Sequence, residues 1–196
     1  MAQVLKEEIK EKIYQTAIEE FYHNDYRSVA LLNIAKHAGI PVGLIYRYYK
    51  NKAALFDAVV RTVYLSVQNL LSVETPQDSQ TLEYDFHIQT ELPIILQMLK
   101  TSRKAFIILV DNSRGTIYEN TKEEFIQLTQ IHIQSHLQGK LKNEEGIDDL
   151  LYHILANNFI EGILEVARHY KNETWAAHMM QLFIQQYVWG VHSLLK

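Results

Sequence analysis

Residues Leu31–Lys52, LLNIAKHAGIPVGLIYRYYKNK, decide how the rest of the chain is read. Apolar side chains recur at Ile34, Ala38, Ile40, Ile45 and Tyr48, and the helical period breaks once, between Ala38 and Val42. Gly39 follows the first run, where a left-handed residue ends a helix without a Cβ penalty. Pro41 stands two residues later, and its fixed φ suits the first turn of a new helix rather than an interior. Two short helices joined by a tight glycine-containing turn make a helix-turn-helix, whose second helix enters the DNA major groove. Ala35 is small where two such helices would cross closely. A plain αα-corner without nucleic acid has the same outline, so the motif needs support from its surface.

The second helix supplies it. With Ile45 and Tyr48 turned inward, its surface carries Val42, Gly43, Leu44, Tyr46, Arg47 and Lys50. Tyr and Arg donate hydrogen bonds to phosphates and base edges, and Val and Leu can cover a thymine methyl. Carboxylates are absent from Tyr26 through Phe56, although the whole chain has a formal net charge of −4. An acid-free interval in an acidic chain is what a phosphate-facing surface requires.

The run Ile34-Ala35-Lys36-His37-Ala38-Gly39-Ile40, then Gly43-Leu44-Ile45-Tyr46-Arg47-Tyr48-Tyr49-Lys50-Asn51-Lys52, then Ala54-Leu55, closely resembles the signature of TetR-family transcriptional regulators. The resemblance is specific from about Ile13 to Phe56. It implies a homodimeric regulator with an N-terminal DNA-binding domain and a C-terminal domain that binds a small effector and dimerises. The expected fold is therefore all-α: a three-helix helix-turn-helix domain over residues 1–50, then a larger helical effector-binding and dimerisation domain over residues 51–196. Where the family commonly starts the first motif helix with Ser or Thr, this chain has Ala30, leaving Ser28 as the nearest N-cap. Pro41 and Leu44 replace common Ser or Thr positions, Leu32 replaces a polar one, and Asp25 stands where Gly is usual. Base readout should accordingly lean on apolar contact and Arg47.

Upstream, Leu5, Ile9, Ile13, Ala17 and Phe21 recur every fourth position, and Glu7, Glu8, Lys10, Glu11 and Lys12 occupy the other face. This reads as an amphipathic helix from Val4 to His23, packed behind the motif and ended at Asn24-Asp25. Downstream, Asn51 can cap a helix to about Ser72 with Leu55, Phe56, Val59, Val63 and Val67 on its apolar side. Lys52 in its first turn opposes the macrodipole, which favours a phosphate contact for it; a solvated surface lysine is the plain alternative.

The absence of cysteine excludes disulfide scaffolds, thiolate zinc sites and cysteine nucleophiles. The charged N-terminus is unlike a signal peptide and no apolar run approaches a membrane span, so a cytoplasmic protein is expected. His132 and His136 are spaced i,i+4 but lack a carboxylate neighbour in sequence, and no phosphate loop, nucleophile elbow or HExxH run occurs. No metal, cofactor or catalysis is expected.

ETPQDSQ, residues 74–80, is the clearest break, and Pro93 should end or kink a helix near Glu91. Arg103 to Val110, with FIILV at its core, reads as a buried helix closed by the Asp111–Gly115 turn, because a lone strand in a helical chain has no partner. Lys122–Leu141, Ile147–Lys171 and Thr174–Leu195 complete the pattern. Tyr84, Phe86, His87, Met98, Phe106, Tyr118 and Phe125 are of types that usually fill cores. The family resemblance makes His87, Met98, Phe106, Tyr118, Phe125 and Asn158 candidates for lining an effector cavity, mostly apolar with a few polar groups. The last two helices carry more large apolar residues than one chain covers, and each has an interior glycine. Leu155, Phe159, Gly162 and Val166, with Met179, Phe183, Trp189 and Gly190, are the expected twofold interface. The rival readings are a helical ligand-binding or protein-interaction module without DNA, and an α-helical enzyme.

Overall fold

A computed structural model describes residues 2–72, 90–137, 140–141 and 148–195. Among these the chain is all-helical, in the order α1 (Ala2–His23), α2 (Leu31–His37), α3 (Val42–Ile45), α4 (Lys52–Leu71), α5 (Leu92–Thr101), α6 (Arg103–Asp111), α7 (Thr121–Leu137), α8 (Asp149–Arg168) and α9 (Glu173–His192). An isolated bridge pairs Leu141 with Leu195. No helix among the described residues is long and apolar enough to cross a membrane. The 74–80 break and the residues Tyr84, Phe86 and His87 lie outside the described residues.

By packing, the chain forms two compact units that do not divide at residue 50. The first comprises Met1–Leu65 with Lys104–Thr121, and the second Ser66–Arg103 with Lys122–Lys196. Thus α4 contributes to both units, and all of α6 except Arg103 belongs with the helix-turn-helix.

In the first unit, α1 buries Ile13, Ala17 and Phe21 from the every-fourth-residue stripe, against Ile34, Ala35, Leu55 and Phe56, which are also buried. Phe21 and Phe56 meet edge to face with centroids 5.0 Å apart, and Tyr26 meets Phe56 at 5.1 Å. His37 Nδ1 and Glu20 Oε1 lie 2.5 Å apart, linking α2 to α1. The α6 segment is fastened by polar contacts as well as by its buried Phe106, Ile108 and Leu109. The Lys104 ammonium donates to the Glu19 carboxylate at 2.5 and 2.6 Å. The Asn112 amide donates to the Phe21 and Tyr22 carbonyls at 2.9 and 3.1 Å, while its own carbonyl accepts from the Tyr26 N–H at 2.9 Å. The Tyr118 hydroxyl donates to Asp57 Oδ1 at 2.6 Å. Burial and then this bond push the phenol well above its ordinary range.

In the second unit, Pro93 lies in the first turn of α5, where its missing N–H costs nothing. Asp148 caps α8 by accepting from the Leu150 N–H at 3.1 Å, and Asn172 caps α9 by accepting from the Trp175 N–H at 2.8 Å. These caps set the starts of the two long helices. α9 packs against both α5 and α8. Lys122 pairs with Glu161, which also accepts from Arg168 at 3.3 Å. The Lys122 bond is the chief reason the Glu161 carboxyl sits below its usual range.

Candidate DNA-recognition site

The turn after α1 sets the approach. Asp25 Oδ1 accepts from the Ser28 N–H at 2.8 Å and from the Ser28 hydroxyl at 2.7 Å. The hydroxyl first, then the N–H, holds the exposed Asp25 carboxyl below the usual carboxylate range. Ser28 is therefore engaged in this turn and does not cap α2, whose N-cap is Ala30 with no side-chain bond. The nearer carboxylate, three residues away, takes the hydroxyl.

α2 buries Leu31, Ile34 and Ala35 and leaves Leu32 65% exposed. It ends in a Schellman arrangement: Gly39 N–H donates to the Lys36 carbonyl at 3.1 Å and Ile40 N–H to the Ala35 carbonyl at 3.0 Å. Gly39 has a φ of 61°, a conformation that a Cβ would strain. Pro41 is the residue just before α3, with its carbonyl accepting from the Leu44 N–H at 2.9 Å.

α3 is only four residues long and continues as a turn through Tyr48. Ile45 is fully buried, as its spacing suggested. The inward aromatic, however, is Tyr49, while Tyr48 is half-buried. The Tyr49 N–H donates to the Ile45 carbonyl at 2.9 Å, which places the two residues on one side. Pro41, Gly43, Tyr46, Arg47 and Lys50 are exposed, and Val42 and Leu44 are half-buried. Among the described residues the Arg47 guanidinium and the Lys50 ammonium have no hydrogen-bond or ion-pair partner. Their charges are free to meet a ligand.

Lys52 is placed differently. Its ammonium donates to the carbonyls of Tyr26 at 2.8 Å, Val29 at 2.9 Å and Arg27 at 3.5 Å. It also lies 4.3 Å from the centroid of the Tyr26 ring. Partial burial lowers its pKa, against the opposing field of Asp25. The lysine clasps the turn that leads into α2, a role that its place in the first turn of α4 does not disclose.

The residues expected to line an effector cavity fall in both units, apart from His87, which lies outside the described residues. Phe106 and Tyr118 are buried in the first unit; Phe125 is buried in the second, where Met98 is half-buried and Asn158 exposed. In the second unit Phe159 lies 5.9 Å from Phe183 and 4.9 Å from Tyr187 between ring centroids. The Tyr187 hydroxyl at this cluster is buried without a hydrogen-bond partner among the described residues. No sequence signal singled it out.

The expected interface residues face two ways. Val166 is buried, and Leu155, Phe159, Gly162 and Phe183 are half-buried. Gly162 is explained by its own chain, because a Cβ there would come within 2.2 Å of the Phe183 ring. Met179, Trp189 and Gly190 are exposed, and so are Leu150, Ile154 and Leu182. Among the described residues no group of three or more His, Asp or Glu is placed to hold a metal ion.

Comparison with known proteins bears on this site directly. The family described as bacterial regulatory proteins, tetR family, matches residues 13–59, from the middle of α1 into the first half of α4. The uncharacterized HTH-type transcriptional regulator YhgD of Bacillus subtilis is 29% identical over 139 residues, spanning 70% of this chain and 69% of its own. NalD of Pseudomonas aeruginosa, the secondary repressor of the MexAB-OprM multidrug efflux pump, has the same fold with a TM-score of 0.57 at 21% identity, covering 92% of this chain and 96% of its own. A TetR-like transcriptional regulator from Rhodococcus sp. RHA1 gives a TM-score of 0.59 at 18% identity, covering 93% and 96%. These proteins are regulators rather than enzymes. The motif, the fold and the match over residues 13–59 agree: this segment has the helix-turn-helix of the tetR family of bacterial regulatory proteins, and the chain as a whole shares the fold of such regulators.

Proposed function

We propose that the protein is a homodimeric repressor that leaves a near-palindromic operator when a small, mostly apolar effector binds. The observation that carries the DNA part is Arg47 and Lys50, exposed and without a partner among the described residues, beside Tyr46 in an acid-free stretch of sequence. Pro41, Val42, Gly43 and Leu44 complete the face proposed for the major groove. The proposed boundary between the DNA-binding and effector-binding functions remains at residues 50 and 51. The repressor assignment leans on NalD, and the effector on a relative of the same fold, a gamma-butyrolactone receptor described as ArpA-like. Selection of genomic fragments on the purified protein, followed by footprinting, tests the reading. Protection of two half-sites on one DNA face is expected; failure to retain any fragment would leave the protein-interaction module as the better description.

The dimer is proposed to use the outward side of α8 and α9. Leu150 and Ile154 are one turn apart on α8, and Met179, Leu182 and Trp189 recur at helical spacing on α9, with Trp189 57% exposed. Two such helices from each chain would form a four-helix bundle. Twofold symmetry would set recognition helices roughly 34–36 Å apart or a multiple of that. Sedimentation at micromolar concentration is expected to give a dimer, and Leu182→Glu to give a monomer with lost operator binding. A wild-type monomer would remove the proposal.

Lys52 is retained in the proposed DNA-contacting set only through the turn that it clasps. Lys52→Met is expected to cost about 1–2 kcal/mol of stability, the size of lost hydrogen bonds to a charged group in a half-exposed place. The salt slope of DNA binding should be unchanged. A slope reduced by about 1 at unchanged stability would assign Lys52 to a phosphate instead.

The effector is proposed to enter the second unit near Met98, Phe125 and the Phe159–Phe183–Tyr187 rings, with the Tyr187 hydroxyl as its polar anchor. Asn158 and His87 are the other polar candidates. α4 carries the displacement, since it begins in the recognition unit and ends among residues of the second. Because coupling is reciprocal, an inducer must bind the DNA complex more weakly than free dimer, by about 5- to 150-fold. Calorimetry with and without saturating operator measures this factor. Equal affinities would exclude that compound as inducer, and tighter binding to the complex would make it a corepressor.

A further inference from the structure

Gly43 is the second residue of α3, the recognition element, yet no contact among the described residues calls for glycine there. Its φ is negative, unlike those of Gly39 and Gly115, so no left-handed turn is being satisfied. A Cβ built at Gly43 would meet no atom within 4 Å. Gly162 shows the contrast, since a Cβ there would strike Phe183 at 2.2 Å. Glycine inside a helix lowers stability relative to alanine, and replacing it at a compatible site usually stabilises a protein. Gly43 thus serves no neighbour among the described residues.

Its surroundings are those of the proposed DNA face. Pro41, Tyr46 and Arg47 beside it are exposed, with Tyr46 at 55%, and no carboxylate occurs nearby in sequence. Beyond a Cβ at Gly43 lies open space. We propose that this open position is where DNA comes into direct contact with the α3 backbone, and that Gly43 sets how deeply the element seats in the groove. The inference rests on the DNA-binding reading above and adds a specificity-determining residue to it. Its chemistry is steric: with no side chain at position 43, DNA atoms can approach the main chain closely, while Arg47 and Tyr46 supply polar contacts on either flank.

The test is Gly43→Ala and Gly43→Val in the full-length protein, against the genomic fragment selected by wild type. For Gly43→Ala the midpoint of thermal unfolding should stay the same or rise, while the operator dissociation constant rises at least tenfold. Gly43→Val should weaken binding further, because the obstruction grows with the side chain. Affinity within twofold of wild type for both variants would overturn the inference while leaving the regulator reading intact. A clear fall in the unfolding midpoint of Gly43→Ala would overturn it too, by showing that the fold itself needs the glycine. Wild-type protein that retains no fragment would overturn both readings together.

Discussion

Replacing Arg47 by alanine is expected to weaken operator binding by about 30-fold or more, with helicity and unfolding midpoint unchanged. The guanidinium is exposed and without a partner among the described residues, so its removal leaves nothing unsatisfied inside the protein. A good bidentate contact to a base contributes about 1–3 kcal/mol of discrimination. In the proposed twofold assembly that contact occurs once per half-site, giving about 2–6 kcal/mol, and each 1.4 kcal/mol is tenfold. Anisotropy titrations at one fixed salt concentration, with circular dichroism on the same samples, measure both quantities. Base substitutions in the operator should identify one position per half-site at which the variant has lost its preference. An affinity within twofold of wild type at unchanged helicity would remove Arg47 from the recognition surface, and with it the main support for how α3 is proposed to read DNA.

Gly162→Ala is expected to destabilise the protein, against the direction that helix propensity alone predicts. Alanine gains about 1 kcal/mol over glycine in a helix interior. Here the added methyl would lie 2.2, 2.4 and 2.8 Å from three carbons of the Phe183 ring. That ring is held between Phe159 and Tyr187, at centroid distances of 5.9 and 6.2 Å, so its retreat disturbs the whole cluster. Overpacking a fitted site costs about 1–3 kcal/mol, and larger overlaps reach the upper end. The net loss should be about 1–2 kcal/mol. Denaturant unfolding measures it, and the cause is checked by the second change Phe183→Leu, which should recover stability in the Gly162→Ala background while lowering it in wild type. A Gly162→Ala protein as stable as wild type would mean that the ring turns aside freely.

The helix-turn-helix was legible because its signals are local. Gly39 ends α2 through its own φ, Pro41 is barred from a helix interior by its own ring, and the apolar spacing around them requires no knowledge of distant residues. The caps Asp148 and Asn172 act within three residues in the same way, although they were not singled out in advance. The inward aromatic after Ile45 was misplaced by one residue for a related reason. A period of 3.6 continued through Tyr48 puts that residue inward, whereas α3 stops after four residues and the following turn brings Tyr49 inward.

Faces and partners were harder. α8 and α9 are apolar on more than one side, and periodicity does not say which side the same chain covers. Phe159 and Phe183 were grouped with Met179 and Trp189, yet the first two meet each other within the chain and the last two are exposed. Leu150 and Ile154 lie on the exposed side. Likewise, FIILV announces a buried helix but carries no mark of what buries it; only packing places it with the recognition helices.

The sequence by itself thus determined the all-helical class and the helix-turn-helix, because these follow from backbone preference and short-range spacing. Tertiary structure alone decided that Lys52 clasps carbonyls 23 to 26 residues upstream, that Asn112 fastens the end of α1, and that the Phe183 ring lies where a Cβ at Gly162 would stand. Each of those depends on contacts between segments far apart in the chain, which carry no periodic signal and exist only once the backbone has folded.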